Sequence, residues 1–376
     1  MDFSISDEQS MLADSVSRFI DNDYDFERRM RIAESDERFS PEVWQTCAEL
    51  GWTAMPFSEA DGGFDGGAVE LMLIMEQFGR GLVVEPYLAN VVLAGGVLKR
   101  AANAEQKGRW LARIIDGSLQ AALAFAEPQA RYDLGNVATR AERDGGGWRL
   151  HGTKTLVLNG ADAGLLVVPA RTAGEQADTA GISLFAVDAA ADGVVRRGYK
   201  TVDAHAAAEI TLDGVAVGAS DLLGDEDAGF EALAGAVDDA TLAVCAEAVG
   251  IMQTMHDKTV DYAKQRVQFG VPIGSFQALQ HRMVDMLMEC EQTRSLLLRA
   301  VMLREDDSPD AARALSELKY TIGTAGRRVA QEAVQLHGGM GVTWELDIAH
   351  YFKRMTAIDL LFGNADWHLD RAAGLR

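Results

Sequence analysis

Two stretches in the C-terminal half of the chain are the most informative about its fold. The first is Arg266-Val267-Gln268-Phe269-Gly270, followed after a short gap by Phe276-Gln277-Ala278-Leu279-Gln280. The second is Gln335-Leu336-His337-Gly338-Gly339-Met340-Gly341. Each stretch lies where a long segment with apolar residues at helical spacing ends. The two stretches therefore mark connections between helices.

The segments around these stretches predict long helices. Leu242, Cys245, Val249 and Met252 recur at spacings of three and four inside a predicted helix from Phe230 to Arg266. Three further helices are predicted over Phe276 to Leu303, Asp310 to Leu336 and Leu346 to His368. We therefore expect residues 229–376 to form a four-helix bundle.

The middle of the chain predicts β-structure. Ala138 to Arg143 and Trp148 to Leu150 flank a glycine-rich segment at 144–147, which is typical of a β-hairpin. Further short strands are predicted over Leu165 to Val168, Ile182 to Val187, Ile210 to Leu212 and Val215 to Val217. Few helical stretches interrupt these strands, so a βαβ dinucleotide-binding fold is excluded. We expect residues 121–228 to form a small β-barrel-like domain.

The first 120 residues predict a helical domain. Apolar residues recur at helical spacing over Phe3 to Ile20, Pro41 to Leu50, Leu71 to Phe78, Val92 to Leu98 and Gln106 to Ile115. Ser40 is a suitable N-cap, and Pro41 suits the first turn of the helix that follows. The expected fold class is mainly α with a β middle domain, divided into domains 1–120, 121–228 and 229–376.

Composition excludes several classes of protein. Lys and Arg number 35 and Asp and Glu number 57, so the net charge is −22. This charge argues against a nucleic-acid partner and against docking on an anionic membrane. The three cysteines, Cys47, Cys245 and Cys290, are too few and too widely spaced for a disulfide framework or a metal knuckle. We expect no metal site, no membrane segment, no signal peptide and a cytoplasmic location.

The quoted motifs resemble those of the acyl-CoA dehydrogenase family, and the resemblance extends over essentially the whole chain. It implies an N-terminal helical domain, a small β-barrel and a C-terminal four-helix bundle. It also implies FAD as cofactor and an acyl-CoA thioester as substrate. In this family a glutamate removes the α-proton, the β-hydride goes to the flavin, and an electron-transfer flavoprotein reoxidises it. The FAD lies across a subunit interface, which implies a tetramer.

The resemblance also implies which residues contact the ADP half of a neighbouring protomer's FAD. Arg266 suits the pyrophosphate because its guanidinium is a fixed planar cation. Phe269 offers an aromatic face near the adenine, and Gln335 can hydrogen-bond phosphate or ribose. Gly338, Gly339 and Gly341 allow close approach of backbone amides. The same motifs include Gln268, Phe276 and Gln277, which complete the expected cofactor-binding set.

Two segments that face the chain's own flavin in this family depart from the family pattern. The usual Thr-Glu-Pro-Gly-Ala-Gly-Ser-Asp is replaced by 126–133, where both glycines and the serine are lost and Arg131 and Tyr132 are introduced. The usual Trp-Ile-Thr-Asn-Gly is replaced by 156–160, where Leu156 and Leu158 stand for the tryptophan and the threonine. The pocket for the chain's own flavin is therefore expected to be damaged.

Both positions at which the family places its catalytic glutamate are also changed. Phe362 occupies the usual position and cannot accept a proton. Ala240 occupies the alternative position on the first bundle helix, and Thr241 replaces the neighbouring arginine. A displaced carboxylate remains an alternative. Asp366 lies four residues after Phe362, where a helix would place it on the same face. The other such candidates are Asp359, Asp238 and Asp239.

Three hypotheses follow. The favoured one is that the chain resembles the small, base-less subunit of heteromeric acyl-CoA dehydrogenases of the pimeloyl-CoA or steroid-CoA type. Such a subunit completes the FAD site of a base-containing paralogue. The first alternative is a self-sufficient homomeric enzyme with a displaced carboxylate base. The second is a structural or binding protein on the same scaffold without a redox role.

Overall fold

The fold is known from a computed structural model, in which residues 5–374 are described. The α-helices are α1 (Asp7–Asp23), α2 (Phe26–Glu34), α3 (Pro41–Glu49), α4 (Ala68–Gly81), α5 (Gly95–Ala101), α6 (Ala104–Gln106), α7 (Ala112–Ile115), α8 (Phe230–Gln265), α9 (Gln277–Glu305), α10 (Ala311–Thr321), α11 (Arg327–His337), α12 (Asp347–Leu360) and α13 (Ala365–Gly374). The strands are β1 (Ala121–Leu123), β2 (Arg140–Asp144), β3 (Gly147–Leu158), β4 (Leu165–Arg171), β5 (Ile182–Asp188), β6 (Val194–Lys200), β7 (Ala206–Gly218), β8 (Leu222–Leu223), β9 (Val267–Gln268) and β10 (Val271–Pro272). The fold is thus mainly helical with a β middle, as expected.

The described chain forms two compact units. The first unit comprises the described residues of Met1–Arg31, Gly67–Val83 and Thr241–Arg376. The second comprises Ile32–Gly66 and Val84–Ala240. Within residues 5–374, no helix combines the length and the apolar character that crossing a bilayer requires.

The second unit is built around the β-sheet. Its strands follow the order β6-β7-β3-β2-β4-β5-β8, and β1 pairs in parallel with β4. Within the described residues this is an open path, since no pairing joins β6 to β8. The predicted hairpin is present, with Asp144 opposite Gly147. The sheet encloses a core that includes Trp148, Leu166 and Phe185.

The predicted start of α3 is confirmed. The Ser40 hydroxyl accepts a hydrogen bond from the Val43 amide at 3.3 Å, and Pro41 is the first helical residue. The helix predicted from Phe3 begins at Asp7, and residues 1–4 lie outside the described part. Two predicted strands, Ile210 to Leu212 and Val215 to Val217, are parts of the single strand β7.

The first unit contains the long helices. The helix expected over Asp310 to Leu336 is α10 and α11, joined through a π-helical segment at Ile322–Gly326. The single helix expected over Leu346 to His368 is wrong, because the chain turns between α12 and α13. At that turn Phe362 has φ 58° and Gly363 has φ 116°, backbone angles that no α-helix accommodates.

Helices α4 and α8 of the first unit cross closely. We predict that a methyl group added at this crossing destabilises the protein. A Cβ on Gly79 would lie 2.0 Å from the Glu247 carbonyl oxygen, and one on Gly250 would lie 2.0 Å from that of Glu76. Gly79→Ala should therefore lower the free energy of unfolding by about 3 kcal/mol through overpacking. Urea unfolding measures this.

Gly108→Ala is the matched control for the Gly79 prediction. Gly108 is also helical, but a Cβ there meets no atom within 4 Å. Alanine at this position should leave stability unchanged or raise it slightly, since it lowers the entropy of the unfolded chain. Equal urea midpoints for the Gly79→Ala and Gly108→Ala proteins would contradict the close-crossing argument.

Candidate functional site

The stretch that begins at Arg266 forms a small hairpin directly after α8. The Arg266 amide donates to the Tyr262 carbonyl at 2.8 Å, which completes the last helical turn. Strands β9 and β10 then pair antiparallel, with Phe269 (φ 54°) and Gly270 (φ 81°) as the two turn residues. Positive φ at both central residues is characteristic of a tight two-residue hairpin turn. The turn places Phe269 at the tip of the hairpin.

Several side chains of this hairpin are directed to solvent. Phe269 is 93% exposed, and its ring lies edge-on to the ring of Phe276 with centroids 6.3 Å apart. Arg266 is exposed, and its guanidinium makes no hydrogen bond or ion pair with any residue in 5–374. Gln268 is also exposed. An exposed aromatic ring three residues after an exposed guanidinium is suited to a nucleotide, whose base stacks and whose phosphates accept charge-assisted hydrogen bonds.

The glycine-rich stretch at the end of α11 forms a second exposed segment. Gly338 has φ 60° and ψ −140°, a conformation that favours glycine. A Cβ on Gly338 or Gly339 would meet no atom within 4 Å, so the backbone here is open to a ligand. Gly341 has a different role, because a Cβ there would lie 2.5 Å from the Val334 carbonyl oxygen.

Tyr262 and His337 bring the two segments together. Their rings stack with centroids 4.4 Å apart, which fixes the end of α8 against the end of α11. The His337 Nδ1–H donates to the Ala333 carbonyl at 2.8 Å. Burial lowers the pKa of His337, so the ring is neutral at neutral pH. The contacts of its ring with Tyr262 and the Ala333 carbonyl give His337 a structural role. Tyr262 was not among the residues expected from the sequence, although its position one turn before Arg266 was a usable signal.

The remaining members of the predicted set lie on the neighbouring helices. Gln277 is the first residue of α9, and Gln335 lies in the last turn of α11; both are exposed. An ion pair between Arg282 of α9 and Glu332 of α11 joins these helices. We call the set Arg266, Gln268, Phe269, Phe276, Gln277, Gln335, Gly338 and Gly339 the donor surface.

The turn that carries Phe362 is fixed by buried side chains. The Lys319 ammonium, fully buried, donates to the carbonyls of Asp359 (3.1 Å) and Gly363 (2.7 Å). The His368 Nε2–H donates to the Phe362 carbonyl at 3.1 Å. Burial and the neighbouring charges of Lys319 and Arg371 lower the pKa of His368 to about 3, so this ring is neutral. The turn is rigid, and it presents a half-buried phenyl ring rather than a carboxylate.

The structure places the two candidate carboxylates near the Phe362 turn in different surroundings. Phe362 lies outside any helix, so the argument that Asp366 shares its helical face is wrong; Asp366 is an exposed residue in the first turn of α13. Asp359 is buried, accepts the Ala365 amide at 3.2 Å and is paired with Arg327.

The position on α8 that the sequence predicted as the alternative base position is apolar. Ala240 is fully buried, and Thr241 is 1% exposed. Asp239 is ion-paired with Arg100 of α5, which accounts for its carboxylate structurally. Asp238 is half-buried next to it.

In the altered segment 126–133 of the second unit, the Glu127 carboxylate is held by several hydrogen-bond donors. Glu127 accepts hydrogen bonds from the Ala138 amide (2.8 Å), the Thr139 amide (3.1 Å) and the buried Lys154 ammonium (2.7 Å). Burial opposes ionisation of Glu127, but these donors outweigh it and hold the pKa of the carboxyl below its usual value. Gln129 adds a 2.8 Å hydrogen bond to the same carboxylate. Arg131 has φ 50° and is exposed.

The altered strand segment carries a bulge. The register between β3 and β7 shifts between Lys154 and Val157, and Leu156 has φ 46° with 42% of its surface exposed. Asn159 is buried, and its amide group donates to Gln120 Oε1 at 3.0 Å. The asparagine shared with the family pattern thus has a structural partner, while the positions of the lost tryptophan and threonine hold aliphatic side chains.

Comparison with known proteins gives a consistent result. The acyl-CoA dehydrogenase N-terminal, middle and C-terminal domain models match residues 6–118, 122–215 and 227–374. The acyl-CoA dehydrogenase FadE12 of Mycobacterium tuberculosis is 30% identical over 356 residues, which cover 92% of this chain and 90% of FadE12.

Two solved structures are similar over the whole chain. One is described as PigA with FAD and proline, with a TM-score of 0.93 and 28% identity, covering 100% of both chains. Another is the ChsE4-ChsE5 complex from Mycobacterium tuberculosis, with a TM-score of 0.90 and 28% identity, covering 100% of this chain and 98% of that one. From the three domain models and these similarities we conclude that the chain belongs to the acyl-CoA dehydrogenase family.

Proposed function

We propose that this chain is a subunit of a FAD-dependent acyl-CoA dehydrogenase and completes the cofactor site of a base-containing partner subunit. One contrast carries the proposal. The donor surface has an exposed guanidinium, an exposed aromatic ring and an open glycine backbone, whereas the turn at the usual base position presents Phe362. A chain that contributes to a neighbour's site needs the first feature and not the second.

The donor surface fits the ADP half of FAD by its chemistry. Arg266 can bind the pyrophosphate, Phe269 can stack on the adenine, and the amides of Gly338 and Gly339 can approach phosphate oxygens. FAD, when bound, supplies the acceptor for the hydride that leaves the acyl β-carbon. This chain's residues would orient that cofactor, and the partner's carboxylate would take the α-proton. Acyl-CoA is therefore the substrate proposed for the complex, and an electron-transfer flavoprotein is its proposed oxidant.

The surface of α9 supports association with a protein partner. Val284, Leu287 and Met288 lie on one side of this helix and are 52%, 38% and 49% exposed. Apolar residues grouped on a surface in this way are typical of protein interfaces. The ChsE4-ChsE5 structure is itself described as a complex. We propose a tetramer of two such chains and two base-containing paralogues.

The flavin content of purified protein tests the proposal. The chain would be expressed alone and together with a base-containing paralogue from the same genome, and FAD would be measured by absorbance. We expect almost no FAD in the chain alone and about one FAD for every two chains in the complex, since only the partner retains a full pocket. One FAD per chain in the protein expressed alone, with turnover of acyl-CoA, would overturn the proposal.

Restoring a carboxylate at position 362 tests whether the isolated chain lacks more than a catalytic base. We predict that Phe362→Glu leaves the isolated chain without acyl-CoA dehydrogenase activity, because this chain lacks an intact flavin pocket of its own. Phe362→Gln is the matched control, with the same shape but no proton acceptor. Reduction of a dye in the presence of acyl-CoA is the measurement. Activity in Phe362→Glu but not in Phe362→Gln would contradict the proposal, because the isolated chain would then hold flavin and substrate by itself; activity in the unchanged chain would favour the self-sufficient enzyme with a displaced base.

A further inference from the structure

The donor surface is made of two segments that are far apart in sequence. One is the hairpin after α8, with Arg266 and Phe269, and the other is the turn at Gly338 and Gly339 after α11. A ligand that contacts both needs their separation to be fixed. In the described part of the first unit, the aromatic contact between these two helix ends is the stack of Tyr262 on His337, at 4.4 Å and 29°.

Each residue of the stack is linked through the backbone to one part of the donor surface: Tyr262 to Arg266, and His337 to Gly338. The Arg266 amide donates to the Tyr262 carbonyl, and one helical turn of about 6 Å separates the two residues along α8. His337 directly precedes Gly338. The Tyr262 hydroxyl also donates to the His337 carbonyl, the last before the glycines, at 3.4 Å. Any movement of the stack therefore moves Arg266 relative to the glycine backbone.

The His337 ring and the hairpin that follows Tyr262 are each held by local contacts. His337 is 4% exposed, and its Nδ1–H is fixed on the Ala333 carbonyl. A Cβ on Gly341 would lie 3.0 Å from the His337 Cβ, so the turn after the glycines packs back on the same side chain. On the other side, the Ile273 amide donates to the Arg266 carbonyl at 2.8 Å and closes the hairpin onto the end of α8. The stack thus joins two locally rigid segments.

We infer that Tyr262 is a positioning residue for the cofactor: its stack on His337 sets the distance between the Arg266 guanidinium and the Gly338-Gly339 backbone, so that one dinucleotide contacts both. Tyr262 acts through its ring, because its hydroxyl contact is long. This inference rests on the proposed function, since it assumes that the donor surface binds the ADP half of FAD.

The test compares FAD with FMN, which lacks the adenylate. Complexes of the full chain with its paralogue partner would be stripped of flavin and titrated with each flavin, and thermal unfolding would be recorded in parallel. We expect Tyr262→Leu to weaken FAD binding about tenfold, the scale of an aromatic pair, and to leave FMN binding unchanged. Tyr262→Phe keeps the ring and should bind FAD as the unchanged protein does.

The outcomes separate this inference from the proposed function. Unchanged FAD affinity in Tyr262→Leu, with a loss in Arg266→Ala, would overturn the positioning role and leave the donor surface intact. Equal weakening of FAD and FMN together with a lower unfolding temperature would also overturn it, because that pattern indicates a general loss of structure. Unchanged FAD affinity in both variants would contradict the proposed function itself. If Tyr262→Leu does not fold, Tyr262→His, which retains a smaller ring, replaces it. We expect Tyr262→His to weaken FAD binding less than about tenfold and to leave FMN binding unchanged.

Discussion

Replacing Arg266 with alanine is expected to weaken FAD binding by the assembled complex about 100-fold or more. Hydrogen bonds between ionised partners contribute about 1.5–3 kcal/mol each, and a guanidinium can make two to a pyrophosphate. The structure gives this side chain no competing partner within the described residues, so its donors are available to the ligand. Its position after the last turn of α8 places it beside the exposed hairpin.

The measurement is a titration of flavin-free complex with FAD, followed by flavin fluorescence. Lys264→Ala is the matched control, because Lys264 is an exposed cation two residues away whose side chain is directed to Asp261 at 3.4 Å. Lys264→Ala should change FAD affinity less than about twofold, as expected for a surface ion pair. Similar losses in Lys264→Ala and Arg266→Ala would indicate a general effect of charge and contradict a specific contact.

Replacing Glu247 with glutamine is expected to lower the free energy of unfolding by about 3–5 kcal/mol. Glu247 of α8 and Arg354 of α12 form a bidentate ion pair, with both nitrogen–oxygen distances at 2.6 Å. Their side chains are only 3% and 5% exposed. Removing the carboxylate charge deprives the buried Arg354 guanidinium of this bidentate counterion, which is the costly case.

The urea unfolding midpoint checks this prediction. A double replacement, Glu247→Leu with Arg354→Met, removes both charges and should recover most of the lost stability, because apolar side chains of similar size avoid the cost of burying ions. Asp14→Ala is the surface control. Asp14 and Arg18 are paired at 3.7 Å on α1 with 69% and 77% of their side chains exposed, so the change should be below about 0.5 kcal/mol. A Glu247→Gln protein as stable as the Asp14→Ala protein would contradict the argument.

Much of the architecture could be predicted from local patterns. The spacing of Leu242, Cys245, Val249 and Met252 predicted α8, and the glycine-rich segment at 144–147 predicted the β2–β3 hairpin. Both signals are local, since burial of one helix face or a tight turn is encoded within a few residues. The boundaries proposed at 120 and 228 stay predictions.

The break between α12 and α13 was harder to predict. Apolar spacing continues from Leu346 to His368, and nothing in the immediate sequence except Gly363 marks the end of a helix. The turn is held by Lys319, which comes from another helix and donates to the carbonyls of Asp359 and Gly363. A constraint supplied by a residue 40 positions away leaves no local pattern. This is why the expectation that Phe362 and Asp366 lie on one helix face was wrong.

The sequence by itself determined which chemical groups this chain has and lacks. It contains the Arg266 and Gly338-Gly339 motifs, and it has Phe362 and Ala240 at the positions where the resemblance predicts the family's carboxylate. Only the tertiary structure decided which of these groups meet and which are already paired. Tyr262 and His337 stack although they are 75 residues apart, and the carboxylate of Asp239 is ion-paired with Arg100. Residue type and periodicity specify what each helix buries, whereas contacts between helices depend on how their packed faces cross, which no local pattern contains.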